Sequence, residues 1–96
     1  MSGTERSSEG LDLRRRRILF RSWHRGMRET DLLLGRFADA HVADLSEAEL
    51  DGFEALMEAP DDRLYKWLVG TEAAPADFDT ALFRRVLAFH QLRATS

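Results

Sequence analysis

Ninety-six residues make one domain with a small core. A composition of 44% apolar and 32% charged residues is that of a soluble globular protein, and no apolar run approaches the roughly 18 residues of a membrane span. The absence of cysteine removes disulfides, thiolate metal sites and thiol catalysis, and the net charge of −3 argues against a polyanion as partner.

The first ten residues, MSGTERSSEG, are polar, with no apolar stretch of the signal-peptide kind and too much acid for a mitochondrial presequence. They read as a disordered tail, residues 1–10, ahead of a helical domain over 11–94, and the default location is the cytoplasm. In LDLRRRRILFRSW, residues Leu11, Arg15, Ile18, Leu19, Ser22 and Trp23 share one face at helical spacing. This predicts a first helix over 11–23, with Arg14, Arg16, Arg17 and Arg21 largely off the apolar stripe.

A joint follows, HRGMRETD, in which Gly26 suits the end of one helix or the start of the next. Leu33, Leu34, Phe37, Ala38 and His41 then form the stripe of a second helix over 27–41, with Glu29 and Asp31 in its first turns, where the helix dipole favours acids. One account of the joint is structural: Gly26 caps, Glu29 stands at N3 and reaches back, and Arg25 pairs with a nearby acid. That leaves unexplained why Arg25, Arg28 and the arginines before them gather at one end.

Ser46 and Glu49 have the spacing of a capping box, and Leu50, Phe53, Leu56 and Met57 supply the apolar face of a third helix. Pro60 ends it. PDDRLYKWLVG reads as a short fourth helix capped by Asp61 or Asp62, with Leu64, Tyr65 and Leu68 inward and Gly70 as its terminating glycine. Trp67 either closes the edge of the core or stands out as an aromatic anchor; large aromatics in small domains favour the core. After the loop TEAAPA, Asp77 or Asp79 opens a fifth helix carrying Leu82, Phe83, Val86, Leu87, Phe89 and His90, fraying by Ala94. No segment alternates with period two, so the fold class is all-α, a bundle of about five helices.

Charge is distributed in blocks. From Arg14 to Arg28 there are seven arginines and no acid; from Asp39 to Asp62 there are nine acids and no lysine or arginine. The two blocks either face each other across the bundle or steer a partner. Arginines interleaved with Phe20 and Trp23 allow a nucleic-acid or regulatory module as the alternative function, against which the acidic block counts. His24, His41 and His90 lie on separate segments without metal-ligand spacing, and His41 and His90 sit at the edges of apolar stripes, where packing is the usual role. No catalytic constellation and no phosphate-cradling loop is present, so the chain is expected to be no enzyme. The residues alone give a helical adaptor with a charged corner, whose arginines, Arg16, Arg17, Arg25 and Arg28 among them, suit recognition of carboxylates on another surface.

RGMRE, Arg25 to Glu29, matches an RGxxE motif, and it is followed by Asp31, by Leu45–Ser46 before an acidic helix, by PDDRLYKWL, and by PAD at Pro75–Asp77. In this order, over residues 14–90, the chain resembles the succinate dehydrogenase assembly factor family: the bacterial flavinylation factors and mitochondrial assembly factor 2. The resemblance implies a small helical bundle that promotes covalent attachment of FAD to the flavoprotein subunit of succinate dehydrogenase, and in some bacteria of fumarate reductase. The flavin is joined to a histidine of that subunit. The motif maps onto Arg25, Gly26 and Glu29, which are then expected to contact the flavoprotein near its FAD site, and with Arg16, Arg17, Arg28 and Asp31 they make up the expected partner-binding residues. With no phosphate cradle, stable binding of FAD by the chain itself is not expected; the cofactor is handled through the partner. A monomer is expected when free, with neither nucleic acid nor membrane as partner.

Overall fold

The computed structural model describes residues 9–95, with side chains through Gln91. Five α-helices run in chain order: α1 (Leu13–Trp23), α2 (Arg28–His41), α3 (Glu47–Met57), α4 (Asp61–Val69) and α5 (Ala81–Thr95). A single 3-10 turn, Val42–Asp44, leads from α2 toward α3, and there is no strand among the described residues. Most of the expected tail lies outside the described residues; Glu9 and Gly10 form a turn before Leu11, which is buried.

The boundaries follow local chemistry. Asp12, not Leu11, opens α1: its carboxylate accepts from the Arg15 backbone N–H at 2.8 Å, and that bond holds the carboxyl below its ordinary range. The capping box of α3 forms as expected, Ser46 accepting from the Glu49 N–H at 3.1 Å while Glu49 accepts from the Ser46 N–H at 2.9 Å. Two expected caps are corrected. Pro60 is the N-cap of α4, so Asp61 and Asp62 fall inside its first turn, and their side chains make no capping bond. Phe78 and Asp79 close a turn onto Pro75 and Ala76, and the α5 start is marked by the Thr80 hydroxyl accepting from the Phe83 N–H at 3.1 Å. The extended backbone that Pro60 imposes places the α4 start earlier than an aspartate cap would, at Asp61, while the turn after Pro75 moves the α5 start later, to Ala81. Gly70 ends α4 in the left-handed region, φ +85°, as the sequence predicts.

Packing brings α2 against α1, α4 and α5, and α3 against α1 and α5. Leu34, Phe37, Leu50, Phe53, Leu64 and Val86 are completely buried at the centre. Trp67 belongs to this core, 4% exposed, with its indole against Phe78 and its Nε1–H donating to Glu72 at 3.1 Å. Arg15, placed on the apolar stripe by spacing, works as a fastener: its guanidinium donates to the carbonyls of Val42 and Leu45 and holds the 3-10 turn against α1. His90 donates from Nε2 to the Leu33 carbonyl at 2.8 Å, and His41 packs on Phe37 and Phe89, so both have packing roles.

One contact fixes the angle between α1 and α2. The Trp23 indole lies directly on the backbone of Gly35, where a Cβ would stand 2.3 Å from two ring atoms. The indole cannot retreat freely, because its Nε1–H donates to Asp39 at 3.2 Å. Gly35→Ala gains about 1 kcal/mol of helix propensity but must push the ring out of a close-packed site. The expected result is a net loss of about 1–3 kcal/mol in urea unfolding. Unchanged or increased stability would contradict the flat seating of Trp23 on α2.

Candidate functional site

The joint between α1 and α2 is a short, internally braced loop. The His24 N–H closes α1 by donating to Arg21. Gly26 then takes φ +104°, a conformation that favours glycine, and a Cβ built there would meet nothing within 4 Å. Within the chain itself, therefore, glycine is required by the backbone and not by crowding. Met27 is the N-cap of α2 and offers no side-chain capping bond.

The brace comes from both sides. Asp31, from the first turns of α2, accepts the Arg25 backbone N–H at 2.9 Å. The Arg25 side chain turns inward, only 10% exposed. Its Nε donates to Asp61 at 3.0 Å, and its terminal nitrogens donate to the carbonyls of Met57 at 2.5 Å and Ala59 at 2.7 Å. One guanidinium thus takes up two carbonyls at and beyond the C-terminus of α3 and a carboxylate in the first turn of α4. The planar fork of arginine can meet several acceptors at once, which a lysine ammonium on a flexible stem does far less well. Sequence reasoning allowed Arg25 to pair with a nearby acid, and Asp61 is that acid.

Glu29 does not do what the structural account of the joint gave it. With Met27 as N-cap it stands second in the helix, not at N3, and it makes no capping bond. Arg28 and Glu29 are both exposed, and neither has a side-chain partner among the described residues. The motif therefore divides into two parts. Arg25 and Asp31 are bound inward; Gly26, Arg28 and Glu29 form an outward edge.

The charge blocks divide the same way. Arg14 binds three acids of α3, Glu47 at 2.9 Å, Glu54 at 2.7 Å and Asp51. This pairing is what holds the Glu54 carboxyl below its ordinary range. Arg21 reaches Glu58 at 2.8 Å. Much of the basic block therefore does face the acidic one across the bundle. Arg16 and Arg17 do not pair with it: both are exposed and without a side-chain partner among the described residues. They lie on the outer face of α1, up to about 15 Å along the chain axis from Gly26, so the joint does not gather them.

Two apolar side chains stand out on α1: Phe20, which the sequence interleaves with arginines, and Leu13, for which sequence reasoning foresaw no role. Phe20 is 63% exposed and Leu13 is 59% exposed, both on that same outer face. The available signal was their position off the apolar stripe of α1. Among the described residues no helix is long and apolar enough to cross a membrane.

Comparison with known proteins bears on this arrangement. A family model described as flavinator of succinate dehydrogenase matches residues 16–90. The chain is 37% identical over 87 residues to the FAD assembly factor SdhE of Acetobacter pasteurianus, covering 91% of this chain and 80% of that protein. It is 35% identical over 72 residues to the mitochondrial succinate dehydrogenase assembly factor 2 of Dictyostelium discoideum, covering 75% of this chain and 51% of that protein. The corresponding figures for the Danio rerio factor are 37% over 73 residues, 74% and 46%, so the chain spans about half the length of these mitochondrial relatives. The match runs through both the inward brace and the outward edge, and the chain belongs to the family of flavinators of succinate dehydrogenase.

Proposed function

We propose that this chain is an assembly factor that binds the flavoprotein subunit of succinate dehydrogenase in the cytoplasm and promotes covalent attachment of FAD to it. The observation that carries the reading is the outward edge Gly26–Glu29: a bare glycine backbone and an unpartnered carboxylate, held in place by Arg25 from within. Rigid placement of such an edge lowers the entropy lost on docking.

In this reading Arg25 is a positioning residue, and Gly26, Arg28 and Glu29 touch the partner. Glu29 acts as a charged contact and not as a general base, since it is exposed to solvent and stands beside no nucleophile. The factor is a binding protein and not an enzyme. It acts by preferring the arrangement of the flavoprotein that is competent for attachment, and shifts the population toward it. FAD stays with the flavoprotein.

The test is covalent flavin on the flavoprotein subunit in a strain that lacks its own factor, read as flavin fluorescence of the denatured subunit band. Expression of this chain is expected to restore the signal. A band that stays dark while the chain is present and folded would overturn the proposal.

A further inference from the structure

Four residues of α1 and its C-cap share the outer face at i, i+3, i+4, i+7 and i+11: Leu13, Arg16, Arg17, Phe20 and His24. All are exposed, and Leu13 and Phe20 present large apolar side chains to solvent. A lone exposed phenylalanine needs no explanation. This one differs in two respects. Its ring is held: Phe20 stacks on His24 with centroids 4.0 Å apart and planes 15° off parallel, and His24 Nδ1–H donates to the Phe20 carbonyl at 2.7 Å. It is also preceded, one turn earlier on the same face, by Arg16 and Arg17, two cations that the internal ion pairs leave unused.

We infer that this stripe is a second docking surface, taking an acidic patch of the flavoprotein subunit with an apolar recess into which Phe20 inserts. The inference rests on the function proposed above. A pre-held aromatic pays little rotamer entropy on insertion, and unpaired arginines beside it meet carboxylates without first breaking an internal pair. The surroundings select a protein over an extended anionic surface. The shoulder of the stripe is the acidic ridge of α3, where one guanidinium, Arg14, serves three carboxylates, and Glu47, Asp51 and Glu58 remain largely exposed. A bilayer or a duplex would press its own negative charge onto that ridge. A folded partner can place its acids opposite Arg16 and Arg17 alone.

The experiment is calorimetric titration of the apo-flavoprotein subunit with the full chain, its Phe20→Ala and Phe20→Leu variants, and an Arg16→Glu, Arg17→Glu double variant. Phe20→Ala is expected to weaken binding about tenfold or more, with Phe20→Leu recovering most of the loss and thermal stability unchanged in both. The double variant is expected to associate more slowly, with a flatter salt dependence, in a companion kinetic measurement. Wild-type affinity in Phe20→Ala would overturn this inference while leaving the proposed function standing. Absence of binding by the wild-type chain would instead remove the proposed function, and this inference with it. Phe20-dependent binding to phosphatidylserine vesicles or to duplex DNA, without binding to the flavoprotein, would also overturn it.

Discussion

Arg25→Met is expected to destabilise the isolated protein by about 2–4 kcal/mol, where hydrogen bonds to a charged group are worth about 1.5–3 kcal/mol each and do not add fully. Methionine keeps much of the stem packing but supplies no donor. The carbonyls of Met57 and Ala59 and the carboxylate of Asp61 then lose the guanidinium that joins them. For a domain of this size such a loss lowers the melting temperature by roughly 10 °C or more. Arg25→Lys is expected to recover only part, because an ammonium lacks the planar fork that spans these acceptors. A melting temperature unchanged in Arg25→Met would show that the inward brace is not what holds the joint. Flavinylation lost without any loss of stability would make Arg25 a contact residue in its own right.

Glu29→Gln has the opposite expected signature. Glu29 is exposed and its side chain has no partner among the described residues, so the isolated variant should melt within about 0.5 kcal/mol of wild type, as surface substitutions usually do. Glutamine keeps the shape but not the full charge. A charge-assisted contact to the flavoprotein should weaken by on the order of 1–3 kcal/mol, about tenfold or more in affinity. Covalent flavin on the partner should fall accordingly at ordinary expression levels. Full labelling with the glutamine variant would leave Gly26 and Arg28 to carry the outward edge. The two substitutions, four positions apart in one motif, are thus separated by stability alone.

That separation is not visible in RGMRE as a string. The helices were legible because their signals are local: the Ser46–Glu49 box, the terminating Gly70, and apolar stripes that recur at helical spacing. What escaped depends on elements far along the chain. Arg25 finds its acceptors 32 to 36 residues later, where α3 ends and α4 begins. Arg14 and Arg16 stand in the same run of four arginines; only helical phase, and the side on which α3 packs, pairs one and frees the other. Gly35 reads as a weak point in a helix until Trp23 is seen lying on it. Phe20 and Trp23 both read as aromatics interleaved with arginines, and only the fold separates them, Trp23 buried and Phe20 exposed. Glu29 had the right type for a capping role, but Met27 opens α2 and leaves its carboxylate pointing out.

The claim that Glu29 and its neighbours face the flavoprotein is tested most directly by carboxyl footprinting. The chain is treated with a carbodiimide and glycine ethyl ester, alone and with excess apo-flavoprotein subunit, and modification is read residue by residue by mass spectrometry. Glu29 and Asp44 are both exposed and without a side-chain partner among the described residues, and they lie near opposite ends of α2, about 20 Å apart. Free in solution, both should be modified readily. In the complex, Glu29 is expected to be strongly protected while Asp44 is modified as before. Undiminished modification of Glu29 in a complex that still supports flavinylation would contradict the account.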